Sequence, residues 1–144
     1  MISIDFPSHT LKIKQEQGKE YIFDTVRKKW LRLTPEEWVR QNFLQYLLQE
    51  KKYPASLIAI EKEIKLGELK KRCDLVIYQS QKPWMVIECK EPGTSLKDIV
   101  WEQVLAYNIT LQVAYIIITN GNDTLGFEIN AGQVKAVRAI PEWI

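Results

Sequence analysis

The stretch Arg72-Cys-Asp-Leu-Val-Ile-Tyr-Gln-Ser-Gln-Lys-Pro-Trp-Met-Val-Ile-Glu-Cys-Lys90 decides how the chain folds. Two runs rich in β-branched and aromatic residues, 70–78 and 84–90, flank the polar segment 79–83, which reads as two antiparallel strands and their connection. A five-residue connection sets the pairing: Tyr78 opposite Trp84, Val76 opposite Val86 and therefore Asp74 opposite Glu88. Because side chains alternate along a strand, Lys90 shares a face with Glu88, while Cys73, Ile77, Ile87 and Cys89 point to the other side. Two carboxylates facing each other repel, and in an apolar setting neither ionises easily, so something positive belongs between them. Lys90 supplies one charge. A divalent cation suits the geometry better, because Mg²⁺ takes hard oxygen ligands from few carboxylates and keeps several waters.

Upstream, residues 57–66 alternate as a further antiparallel strand that turns at Gly67-Glu68. Before it, Thr34-Pro35-Glu36-Glu37 opens a helix: Thr34 can cap it, Pro35 suits the first position and Glu37 completes a capping box. The helix is predicted to run to about Glu50, ahead of Tyr53-Pro54. On a wheel of about 100° per residue, Val39, Phe43, Leu44, Tyr46, Leu47 and Leu48 fill one arc, with Glu36 and Arg40 near its centre. Charges there are costly unless used. Glu37 lies at the edge of the arc and can serve the cap, so Glu36 is the preferred third acid and Glu37 its substitute. Residues 10–26 read as a hairpin around Gln17-Gly18-Lys19.

Downstream, Ser95 and Asp98 start a second helix through Trp101, Leu105 and Ile109, and residues 113–119 return as a buried strand before the turn 120–123. Residues 124–129 and 134–137 are short final strands. Gln103 and Tyr107, four apart on one helix face, suit a ligated water or phosphate and a nucleic-acid backbone respectively. The reading is one α/β (α+β) domain over residues 1–144, with a central mixed sheet flanked by helices and an N-terminal β-hairpin.

With 144 residues, 46% hydrophobic and 26% charged, the composition is that of one globular domain. No apolar run approaches the ~20 residues of a membrane span, and the N-terminus lacks a leader pattern, so the cytoplasm is the expected compartment. Twenty basic against 18 acidic residues is not a strongly basic balance, so a nucleic-acid footprint must be local. The candidates are the clusters Arg27-Lys28-Lys29 and Lys70-Lys71-Arg72. His9 is the single histidine, which argues against histidine-based or zinc chemistry, and no Gly-x-Ser-x-Gly elbow supports a serine hydrolase. Cys73 and Cys89 read as buried thiols. Trp30 and Trp101 either stack bases or fill the core, the core being the simpler reading.

Asp74, Glu88-Cys89-Lys90 fourteen positions on, a preceding helix acid and the following Gln103-x-x-x-Tyr107 together resemble the PD-(D/E)xK nuclease superfamily. The wider set is more specific. Thr34-Pro-Glu-Glu-Trp-Val-Arg-Gln41, Arg72-Cys-Asp-Leu-Val-Ile-Tyr78, Ile87-Glu-Cys-Lys90, Gln103-x-x-x-Tyr107-Asn108 and Thr119-Asn-Gly121 are similar to the N-terminal nuclease domain of type I restriction enzyme R subunits, expected here as a stand-alone chain, over about residues 27–130. Cys73 stands where the superfamily name has proline, and no Walker-type phosphate loop accompanies the motifs.

The resemblance implies a restriction-endonuclease-like core and a Mg²⁺-dependent endodeoxyribonuclease, with Mn²⁺ able to substitute. It assigns the metal to Asp74, Glu88, Glu36 and the Cys89 carbonyl, and catalysis to these acids with Lys90 and Gln103. Tyr107, Arg40, Lys70, Lys71 and Arg72 would contact the substrate. DNA is the implied partner, with a second copy of the chain needed for a double-strand break and a methyltransferase or helicase as companion proteins. The alternative is a non-catalytic DNA- or protein-binding module, and a third reading makes Asp74, Glu88 and Lys90 a buried structural ion cluster.

Overall fold

A computed structural model describes residues 1–6, 11–66, 68–97, 100–110 and 112–143. The N-terminal segment is larger than a hairpin. Strands β1 (Ile13–Glu16), β2 (Lys19–Asp24) and β3 (Lys29–Arg32) form an antiparallel sheet, with Phe23 opposite Trp30 and Tyr21 opposite Arg32. The third strand, hidden in a lysine-rich stretch, forms because Asp24 Oδ1 accepts from the N–H groups of Val26 and Arg27 and closes the turn between β2 and β3.

The first helix, α1 (Pro35–Gln45), begins as its sequence dictates, the Thr34 hydroxyl accepting from the Glu37 N–H at 3.0 Å. It continues as a π-helical turn over Tyr46–Glu50, so the predicted end near Glu50 is met. A 3₁₀ turn (Ala55–Leu57) leads into the second sheet, of order β4 (Ile58–Leu66), β5 (Leu69–Gln79), β6 (Lys82–Cys89), β7 (Tyr115–Thr119), β8 (Thr124–Asn130) and β9 (Gln133–Val137). Its neighbours are antiparallel except β6 and β7, which the crossover through α2 (Val100–Thr110) makes parallel. The expected start of α2 at Ser95 and Asp98 rests on Asp98, which lies outside the described residues, as does His9. Among the described residues no helix is long and apolar enough to cross a membrane.

The two sheet faces carry separate cores. Val39, Phe43, Leu44 and Leu47 of α1 pack on Leu75, Ile77, Met85, Ile87 and Cys89. Val104 of α2, with Leu96, packs with Cys73, Val76, Val86, Ile116 and Ile118 on the opposite face. Both thiols are buried, as expected.

Two details of register depart from the sequence reading. Ser80 and Gln81, both at positive φ (53° and 64°), make a two-residue turn, and a shift between Ile77 and Tyr78 pairs Tyr78 with Pro83 rather than Trp84. The bulge absorbs the difference, so Val76 still faces Val86. The second departure concerns faces. Between the rungs Ile60–Leu75 and Lys62–Cys73 the ladder has no Glu61–Asp74 rung, and Glu61 sits at φ 53°. Beyond this kink the alternation is reversed: Cys73 and Ile64 lie in the α2-side core, whereas Leu75, Ile77, Ile87 and Cys89 lie in the α1-side core. Cys73 therefore does not share the face of Ile77, Ile87 and Cys89, because a bulge costs one step of the period of two.

Candidate active site

The kink turns Asp74 toward α1. Its Oδ2 accepts from the Cys89 backbone N–H at 2.8 Å, and its Oδ1 accepts from Arg40 Nη1 at 3.0 Å. Arg40, one turn into α1 and buried, also donates from Nε to Glu37 Oε2 at 3.0 Å and from Nη2 to Glu37 Oε1, while Nη1 lies 3.3 Å from Glu61 Oε1. Gln41 Nε2 bridges Glu37 Oε2 and Asp24 Oδ2, each at 3.0 Å. Arg27 donates from Nε to Asp24 Oδ2 at 2.8 Å and from Nη1 to Glu61 Oε2 at 2.7 Å. The groups close a ring: Asp24, Arg27, Glu61, Arg40, Glu37, Gln41 and back to Asp24. It clamps β2, α1 and β4 together and holds Asp74 from one side.

The physical logic is compensation. Burial alone would raise the Asp24 carboxyl, but hydrogen bonds from the Arg27 backbone, Gln41 and the Arg27 side chain outweigh it and leave the group below its ordinary value. At Glu61 burial is likewise overcome by Arg27, Arg40 and Arg72. Arg40, despite its burial, is held firmly charged by Glu37, Glu61 and Asp74. The sequence offered Arg40 as a costly charge at the centre of the apolar arc, and that charge is fully engaged. It assigned no role to Asp24, Gln41 or Glu61, each of which has a ring partner distant in sequence, Gln41 with Asp24 and Arg27 with Glu61. The only local signals were an acid closing the apolar run of β2 and an acid inside the alternating β4.

Above the ring opens a cleft of about 360 Å³ lined by Thr34, Glu36, Glu37, Arg40, Glu61, Arg72 and Asp74. Both helix acids line the cleft, but their burial is the reverse of what the wheel suggests: Glu37 is buried in the ring and Glu36 is exposed. A wheel ranks residues by direction only, and at the first turn the cap and Arg40 decide which acid turns inward. The Glu36 carboxyl is raised by loss of solvent and then by the charge of Asp74, with Arg40 and Lys90 pulling the other way. Glu36, Asp74 and Lys90 thus share one electrostatic field.

Glu88 lies differently. It is buried, and β6 alternation places it with Val86 on the α2 side, its Oε1 4.0 Å from Lys71 Nζ. The β5–β6 ladder runs from Gln79–Lys82 to Leu75–Ile87 and does not extend to an Asp74–Glu88 rung, and the two carboxylates serve different partners. Among the described residues no three carboxylate, histidine or cysteine groups converge as a ready-made metal cluster. The Cys89 thiol is pushed well up by burial, so it is inert as a ligand or nucleophile. Lys90 follows directly, its N–H donating to the Thr119 carbonyl at 2.8 Å. Gln103 lies on α2 with a buried Oε1 that has no hydrogen-bond partner among the described residues. The side chain of Tyr107 is outside the described residues.

Of the basic residues, Arg72 forms a wall of the cleft and Lys70 pairs loosely with Glu63 at 3.7 Å. Trp30 and Trp101 do not fill the core: Trp101 is 57% exposed with its ring 5.4 Å from Phe127, and Trp30 is 39% exposed on the N-terminal sheet.

Residues 35–141 match the family model described as type I restriction enzyme R protein N terminus (HSDR_N). No curated protein matches the chain. The match spans well over half of the sequence, and the chain belongs to that family.

Proposed function

We propose that this member of the type I restriction R-protein N-terminal family is a Mg²⁺-dependent endodeoxyribonuclease whose reacting centre is the cleft between α1 and the β4–β5 kink. One observation carries the reading: the cleft is lined by four carboxylates against two guanidiniums, and Glu36, raised by loss of solvent and then by its neighbour Asp74, forms no ion pair among the described residues. A deficit of two positive charges among hard oxygen donors fits a divalent ion such as Mg²⁺ or Mn²⁺. Asp74 and Glu36 would hold it, with the Cys89 carbonyl as a further donor; Glu88, expected from the sequence as a ligand, is on the α2 side of the sheet and does not line this cleft. Bound there, the ion supplies a water of lowered pKa and a Lewis acid for the scissile phosphate.

The chain's own groups do the rest. Arg40 and the Cys89 N–H fix the Asp74 carboxylate in one orientation, so no reorganisation is needed during reaction. Lys90 orients the attacking water and offsets charge growing on the phosphoryl oxygens. Gln103 would orient a water, its unpartnered Oε1 being able to accept from a water but not from a phosphate, Tyr107 would contact the strand, and Lys70, Lys71 and Arg72 would meet backbone phosphates. One site per chain requires two copies, or two binding events, for a double-strand break, and a methyltransferase or helicase is the fitting companion.

A second reading, a non-catalytic DNA- or protein-binding module, is favoured by the engagement of both Asp74 oxygens and the approach of Glu88 to Lys71. Plasmid nicking separates the two. The nuclease reading expects Mg²⁺- or Mn²⁺-dependent nicking, abolished by chelation and lowered by at least about 100-fold in Lys90→Ala. Equal nicking by wild type and Lys90→Ala would overturn it.

A further inference from the structure

We infer that the outward face of the β1–β2–β3 sheet is a stacking platform for single-stranded nucleic acid. The face follows from register. Tyr21 and Phe23 of β2 project to the same side as their partners Arg32 and Trp30 of β3, and Lys14 of β1 lies opposite Tyr21. Ile22 and Asp24 point the other way and are buried. The outward side therefore presents Tyr21, Phe23 and Trp30, with Lys12, Lys14 and Arg32 among them. Phe23 and Trp30 meet edge to face at 5.2 Å.

Each aromatic of this face is attended by an ammonium: Lys14 Nζ lies 4.5 Å from the Trp30 centroid and 6.0 Å from that of Tyr21, and Lys12 Nζ lies 5.7 Å from Phe23. An exposed cation–π contact contributes about 0.5–1 kcal/mol. A base stacked on an aromatic contributes about 1–3 kcal/mol. A base therefore displaces the ammonium from the ring, and the freed lysine is left beside the phosphate that follows the base. A duplex offers no such exchange, because its bases are already stacked. Beyond Arg32 the chain enters Thr34 at the lip of the cleft, and behind Phe23 the turn bearing Arg27 reaches Glu61 in the cleft wall. A strand on the platform is thus aimed toward the proposed reacting centre. The inference rests on the nucleic-acid reading of that centre but uses different residues.

Fluorescence anisotropy with a labelled oligothymidylate and a duplex of equal length, in chelator and at low salt, tests it. The single strand is expected to bind more tightly than the duplex. Trp30→Ala should weaken it by roughly 5- to 100-fold, Trp30→Phe should retain it, and Trp38→Ala, at an exposed tryptophan of α1, should leave it unchanged. Lys12→Gln with Lys14→Gln should reduce the slope of log affinity against log salt by about 1.4. This pair and Trp30→Phe carry the test should Trp30→Ala melt early. Tighter duplex binding, or wild-type affinity in Trp30→Ala and in the lysine pair, would overturn the platform. Because chelator stops metal-dependent cleavage, lost binding with nicking intact condemns the platform alone. Platform binding without nicking condemns the nuclease reading alone.

Discussion

The side of the central sheet under α1 carries a closed ring of ion pairs and hydrogen bonds, in which Arg27 Nη2 and Gln41 Oε1 are still left without partners, whereas the polar groups of the α2 side, Glu88 near Lys71 and Gln103 with an unpartnered Oε1, form no such ring among the described residues. Under α1, Phe43, Leu44 and Leu47 are fully buried; on α2, Trp101 and Leu105 remain more than half exposed. The two helices are of equal length. What differs is compensation: α1 brings Glu37, Arg40 and Gln41 inward and has Asp24, Arg27 and Glu61 to meet them. The difference teaches that the cleft acids are held by guanidiniums from the β2–β3 turn, α1 and β5, namely Arg27, Arg40 and Arg72, while the α2 side is anchored mainly by apolar packing.

The largest effect is expected where the ring is opened. Arg40→Met leaves Glu37, Glu61 and Asp74 short of their shared cation and should cost about 3–5 kcal/mol in urea unfolding. Saturating Mn²⁺ should restore part of the loss, since a bound cation replaces the missing charge. An unchanged midpoint would break the comparison. Phe43→Ala should likewise cost about 3–5 kcal/mol through its cavity, whereas Trp101→Ala on the exposed face should cost under about 1 kcal/mol. Similar losses for the two would show that α2 is as deeply anchored as α1.

Acid titration sharpens the contrast further. Asp24 and Glu61 have folded values below their ordinary 3.8 and 4.5, so their stabilisation is complete above those values. It is lost as pH falls through the lower folded ones. Asp24→Asn should flatten that part of the stability curve. Glu36 runs the opposite way. Its folded value lies above 4.5, so the proton is held more tightly in the folded state and stability declines as pH rises through the folded value. Glu36→Gln should therefore raise the melting temperature slightly at neutral pH while lowering nicking, the mark of an acid kept for use. A fall in melting temperature would contradict this.

What could be read without coordinates was local. Thr34 and Pro35 announce α1 because a cap and a first-turn proline act within four residues. The Val76–Val86 pairing survived a misjudged turn because the bulge at Tyr78 absorbed the one-residue error. The kink at Glu61 was illegible, since its positive φ is set by the ring it joins and not by its neighbours in sequence. The same holds for Asp24 and Gln41, partners across 17 positions, and for β3, whose lysines mask a strand. The division of Asp74 and Glu88 between two faces followed from that one kink.

The central claim is that the cleft under α1 holds a divalent ion between Asp74 and Glu36. Calorimetric titration with Mn²⁺ tests it most directly. The account expects a single saturable site in the wild type, weakened at least about tenfold, or by roughly 1.4 kcal/mol, in both Asp74→Asn and Glu36→Gln. No binding in the wild type, or binding that neither substitution alters, would contradict it.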